Sequence, residues 1–188
     1  MKTLRKTAEE AYLKYANKII NRETWIDGFI SGIQYKKEYP QSIEICGLLW
    51  DTENLSIGGY ENDGHHYYTW EEAMDAAESV GKRLPTREEW TALCDLGSTW
   101  DDELKGRWFG GNHNSDHKGS LFLPAAGLRY NSSGELAHTS SSGYYWSSSP
   151  NYGGSYSAGN LYFSSGYVYP LSNYNRAYGF SVRCVQNK

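Results

Sequence analysis

Between Leu136 and Val182 the chain carries one formally charged side chain, Arg176, and no Lys, Asp, Glu, Gln or Met. Nine of its seventeen tyrosines lie between Tyr144 and Tyr178. A low-complexity tract would share that composition, but here the apolar residues fall at regular positions. Leu161-Tyr162-Phe163-Ser164 alternates apolar and polar, and Tyr167-Val168-Tyr169 does the same around Val168. A period of two is the signature of a half-buried strand. It predicts strands with Leu161, Phe163 and Val168 toward a core and the tyrosines toward solvent. The tail repeats the pattern, with Phe180, Val182 and Cys184 on one side.

A surface of Tyr, Ser, Gly and Asn with little charge has the physics of a recognition surface. Tyrosine gives large rigid contact area at low entropic cost, and the small polar residues adapt their hydrogen bonds. Exposing so many rings without a partner would endanger solubility. A tyrosine-rich packed sheet with no ligand is the plainer alternative. The net charge of −4 argues against binding nucleic acid through phosphate neutralisation. No apolar run is long enough for a membrane span.

The 188 residues suit one domain plus an appendage. Residues 1–40 read as helical, with Leu4, Ala8, Ala11, Tyr12, Tyr15 and Ile19 in one set and Trp25, Phe29, Ile30 and Ile33 in a second. This segment carries eight Lys/Arg against five Asp/Glu, whereas the remainder is acidic. It is either a helical pair packed on its own domain or an arm for homo-oligomer formation or docking. The basic start leads into an amphipathic stretch broken by Glu9, Glu10, Lys14 and Lys18, which is no signal-peptide core. The chain is therefore expected to be made in the cytoplasm and to stay there, or to leave by lysis or on a particle.

Residues 41–188 form the expected ligand-binding domain, variable over about 140–180. A strand is predicted at Ile43–Trp50, then turns, then two helices. Thr69-Trp70-Glu71-Glu72 and Thr86-Arg87-Glu88-Glu89 are both capping boxes, and Gly81 and Gly97 are the stops. Trp100–Gly119 reads as a polar loop, and Ser120–Tyr130 as a buried strand with its turn. Cys46, Cys94 and Cys184 are too few and too scattered for a disulfide framework or a zinc site, and are expected to be buried thiols.

Four motifs in order carry a resemblance: Arg83-Leu84-Pro85-Thr86-Arg87-Glu88-Glu89-Trp90, Pro124-Ala125-Ala126-Gly127, Tyr145-Trp146-Ser147-Ser148-Ser149, and Arg176 with Gly179-Phe180-Ser181-Val182-Arg183-Cys184-Val185. Over residues 42–188 the chain resembles the formylglycine-generating-enzyme-like branch of the C-type-lectin-fold superfamily. It is similar within that branch to the Fibrobacter major paralogous domain and to variable proteins of diversity-generating retroelements, common in gut Bacteroides and their phages. The resemblance implies an α+β, C-type lectin-like domain with two helices and a short twisted antiparallel sheet, preceded by the N-terminal helical segment. It also implies that template Asn codons are miscopied to codons ending in C, which cannot encode Trp, Met, Lys, Gln or Glu. Mapped here, the diversified ligand-binding positions are Tyr144, Tyr152, Gly153, Gly154, Ser155, Tyr156, Ser157, Tyr162, Ser164, Tyr167, Tyr169, Ser172, Tyr174 and Tyr178. Trp146, Ala158, Leu161, Phe163, Gly166, Val168, Pro170, Leu171, Arg176 and Gly179 would be framework.

No catalytic residue is expected, because Cys184 has no cysteine near it in sequence. No metal or other cofactor is expected either. His65, His66, His113, His117 and His138 fall in polar, loop-like text, and the C-terminal face has no carboxylate for calcium. A structural calcium around Asp51–Asp63 stays open. The expected function is recognition of a cell-surface protein or glycan by a phage-encoded receptor-binding protein. The alternative is a formylglycine-generating-type enzyme or a fixed structural module.

Overall fold

The computed structural model describes residues 42–111, 119–151 and 156–187. The predicted N-terminal helices, His113, His117, Tyr152, Gly153, Gly154 and Ser155 lie outside these residues. Both predicted helices form, each opened by its capping box. In α1 (Trp70–Ser79) the Thr69 hydroxyl accepts from the Glu72 amide, and the Glu72 carboxylate accepts from the Thr69 amide. In α2 (Arg87–Asp95) Thr86 and Glu89 do the same. These contacts satisfy N–H groups that the first turn leaves orphaned.

The fold class needs correcting. Strands make up 47% of the described residues and helix 14%, and the strands form five small antiparallel sheets. The expected α+β, C-type lectin-like domain built on one short sheet is overturned; the chain is mostly β with two helices. The cause is the turn chemistry. Glycines with positive φ, among them Gly47, Gly64 and Gly110, sit in or beside sharp reversals between aromatic-rich segments. Stretches that read as loops therefore pair with their neighbours. Tyr60–Asn62 (β3) and His65–Tyr67 (β4) form a hairpin, and the polar stretch after Gly97 supplies Ser98–Asp101 (β5) and Gly106–Phe109 (β6) beside Leu121–Pro124 (β7). Ser42–Ile45 (β1) and Leu48–Asp51 (β2) pair with the C-terminal Val185–Asn187 (β13), and Leu128–Arg129 (β8) pairs with Leu136–Ala137 (β9).

The sheet that positions the tyrosines has the order Ser142–Pro150 (β10), Ser157–Ser164 (β11), Val168–Asn175 (β12). It packs on both faces. One face sends Tyr145, Leu161, Phe163 and Val168 into a core with Trp50, Trp90, Leu93, Phe109 and Leu123. The other sends Tyr144, Trp146 and Ala158 into a second core with Tyr68, Ala73, Ala77, Phe180 and Val182. Trp146 is sealed there, stacked on Phe180 at 4.2 Å, and its Nε1 donates to the Tyr68 carbonyl at 2.7 Å. Gly143 is obligatory for space, since a Cβ there would stand 2.2 Å from the Phe163 ring.

Two irregularities shape this sheet. Register shifts between Trp146 and Pro150, and the Ser147–Ser149 run bulges toward the helices. The Ser147 carbonyl accepts from Trp70 Nε1, and Ser149 Oγ accepts from the Arg87 amide. Register shifts again where Asn160 opposes Ser172 but Tyr162 opposes Tyr169, so Pro170 and Leu171 together face Leu161. Such a bulge reverses the in–out alternation. Leu171, expected to be framework, is consequently exposed (47%). The tail also departs from its expected alternation: Phe180 through Val185 are all buried, including Arg183. Its guanidinium is held by the Asn54 Oδ1 at 2.7 and 3.0 Å and by the Asp51 carbonyl at 2.9 Å.

Candidate ligand-binding surface

Seven tyrosines form one connected cluster, five of them on or against the second core. Ring centroids run Tyr130–Tyr178 at 5.8 Å, Tyr178–Tyr174 at 4.7 Å, Tyr174–Tyr144 at 6.1 Å, Tyr144–Tyr162 at 5.0 Å, Tyr162–Tyr167 at 6.2 Å and Tyr167–Tyr169 at 6.1 Å. These spacings and tilts suit edge-to-face aromatic packing. The register places them: Tyr144 lies opposite Tyr162, and Tyr162 opposite Tyr169. Tyr174 reaches the same face because the bulge restores it to the side of Ala158, its cross-strand partner.

The cluster is graded from core to solvent. Tyr144 is 8% exposed and rests on Phe180 at 5.1 Å, while Tyr169 is 44% and Tyr167 54% exposed. Tyr130, Tyr162, Tyr174 and Tyr178 are half-buried. Tyr144, expected on the surface, is thus the floor. Its phenol titrates well above the usual tyrosine range because burial penalises the phenolate and neighbouring Tyr162 and Tyr174 add to the effect. Burial raises Tyr174 in the same direction.

Hydroxyl bonding separates these rings from the structural tyrosines. Tyr67 donates to the Ala126 carbonyl at 2.7 Å, Tyr68 to the Ile57 carbonyl at 2.8 Å, and Tyr145 to the Pro124 carbonyl at 2.8 Å. Among the described residues, none of the seven cluster hydroxyls has a hydrogen-bond partner. The nearest cations are engaged elsewhere. Arg129 lies over the Tyr60 ring at 4.4 Å, and Arg176 over the Trp70 ring at 4.2 Å with Glu71 at 3.6 Å.

Of the other predicted positions, Ser164 and Ser172 share the tyrosine face of their strands. Ser157 does not: it follows the parity of Gly159 and Leu161, and its hydroxyl accepts from Asn151 Nδ2 at 2.8 Å. Tyr156 is 82% exposed at the turn before β11 and takes no part in the chain of ring contacts. Tyr130 and exposed His138, whose ring lies 6.3 Å from Tyr144, join the site from outside the alternating segment. Nothing in their local pattern marks them. Asn160 was also missed; it is fully buried beneath the tyrosine face.

Two of the three cysteines are poor nucleophiles. Burial pushes the Cys94 and Cys184 thiols up to about 12, the reverse of an activated thiolate. Cys46, expected to be buried, is exposed at the β1–β2 turn with φ 52°, because the reversal there turns it outward. Among the described residues no group of three or more His, Cys, Asp or Glu could hold a metal ion, and no helix is long and apolar enough to cross a membrane.

Comparison with protein families places the same region in one unit. A family model described as a domain of unknown function (DUF8237) matches residues 95–185, which include β5 through β12 and every tyrosine of the cluster. No curated protein matches the chain, and no solved structure matches it.

Proposed function

We propose that this chain is a ligand-binding protein, not an enzyme, and that its ligand is a cell-surface protein or glycan seated on the tyrosine cluster. One observation carries the reading: seven linked rings whose hydroxyls have no partner among the described residues. A phenol that serves only the core is tied to a carbonyl, as Tyr67, Tyr68 and Tyr145 are. Phenols left unpaired at the surface are available to a partner, and the rings supply the contact area. The test is retention of the labelled full chain on intact Bacteroides cells. Saturable binding, lost when Tyr167 and Tyr169 are both changed to Ser, is expected. Undiminished binding by that variant contradicts the assignment.

The biological setting belongs to the same proposal. We read the chain as the variable protein of a diversity-generating retroelement, carried by a phage and displayed on the virion, with residues 1–40 as the docking or oligomerisation arm. The absence of Lys, Glu, Gln and Met from residues 137–181 supports this. The genomic locus tests it. Codons ending in C at Tyr162, Tyr167, Tyr169 and Tyr174, a near-identical template repeat and an adjacent reverse transcriptase are expected; a locus without them overturns the retroelement reading.

A further inference from the structure

We propose that the Asn160 amide is the hydrogen-bonding floor of the tyrosine surface, and that the ligand it takes is a neutral saccharide held through two adjacent hydroxyls. This rests on the reading of that surface as a binding site. Asn160 lies in the middle strand β11, directly opposite Trp146 in β10 and Ser172 in β12. Its side chain therefore leaves the sheet on the tyrosine face, one pair along from Tyr144 and Tyr162. The residue is 0% exposed, and among the described residues neither its Nδ2 nor its Oδ1 has a hydrogen-bond partner.

Fold stability does not account for such a residue. Asn is disfavoured in strands, and burying an amide unsatisfied at both ends carries a desolvation penalty that an apolar side chain would avoid. The chemistry instead points to a ligand. An amide presents a donor and an acceptor side by side, and a pair of adjacent alcohols answers both, since each hydroxyl can donate and accept. The tyrosine rings offer flat apolar faces for the C–H surface of a sugar ring, and their hydroxyls extend the same dual chemistry. The face carries no formal charge, so an ionic ligand would find no counter-charge there. The ring that turns to admit the ligand is Tyr162, two residues along on the same face, half-buried and with no hydroxyl bond to hold it among the described residues.

The experiment is a printed array of neutral hexose and N-acetylhexosamine oligosaccharides probed with the full chain, Asn160→Leu, Asn160→Ser and Tyr167→Ser/Tyr169→Ser, with a thermal melt for each. Binding of the parent to at least one neutral oligosaccharide is expected. Both Asn160 variants should lose tenfold or more in affinity, with an unchanged or raised melting temperature for Asn160→Leu. Asn160→Ser keeps the test open should the larger side chain prevent folding. Glycan binding that survives both Asn160 substitutions overturns the amide's role. Failure on every glycan, with cell binding that protease treatment abolishes, overturns the saccharide while leaving the ligand-binding surface intact. Cell binding indifferent to Tyr167 and Tyr169 removes the surface itself.

Discussion

Tyr144 and Tyr145 are neighbours in the chain and opposites in the fold. Tyr145 points into the core shared with Trp90 and Phe163, fully buried, its hydroxyl donating to the Pro124 carbonyl and accepting from Asn54 Nδ2 at 3.2 Å. Tyr144 points to the other face, where it starts a ladder of rings that climbs from Phe180 to the exposed Tyr167 and Tyr169. On the Tyr145 face the phenol is tied to protein partners at both its donor and its acceptor. The other face becomes progressively less committed with distance from its core. The same residue type thus serves as cement on one side and as contact surface on the other, and the difference lies in where the hydroxyl goes.

The largest test of this contrast is at the base of the ladder. Trp146→Ala removes a sealed indole from the second core and should cost about 3–5 kcal/mol in chemical denaturation. A loss under about 1 kcal/mol would mean that the tyrosine face has no core of its own. Alkaline pH sharpens the contrast next. Burial pushes the Tyr145 phenol up to about 12, against an unfolded value near 10. Above the unfolded value the unfolded chain binds fewer protons than the folded one, so stability falls as pH rises. The loss should be about 2–3 kcal/mol between pH 10 and 12 from this group. Burial raises Tyr67 and Tyr68 to about 12 as well, adding to the fall. Phenolate absorbance should show the buried phenols ionising only together with the melt. Smaller still, Tyr145→Phe should cost about 1 kcal/mol, because it strips a buried carbonyl and Asn54 of a partner, whereas Tyr162→Phe should be nearly neutral.

Much of this organisation was written locally. The two capping boxes foretold both helices because Thr69/Glu72 and Thr86/Glu89 satisfy their own first turns, whatever packs on them. The alternation of Leu161-Tyr162-Phe163 was equally legible, since a strand's period is a property of its own backbone. What failed was non-local. The text around β3–β6 looks like loop because its strands are three or four residues long and exist only through pairing. Leu171 was misplaced because the bulge depends on register with β11, although Pro170, which has no N–H to give to a ladder, was the available signal. The expectation of one core face and one solvent face missed the second core, since Phe180 and Val182 arrive from a tail that reads as a strand of its own. Tyr130 and His138 reach the site by tertiary placement alone.

The most direct test of the central claim is equilibrium denaturation of the chain carrying Tyr156→Ser, Tyr167→Ser and Tyr169→Ser together. All three rings are exposed, Tyr167 and Tyr169 at the outer end of the ladder and Tyr156 at the turn before β11, so stability should stay within about 1.5 kcal/mol of the parent with an unchanged denaturant slope. A loss of about 3 kcal/mol or more, approaching that of Trp146→Ala, would show that the exposed tyrosines hold the fold and are not a surface kept for a partner.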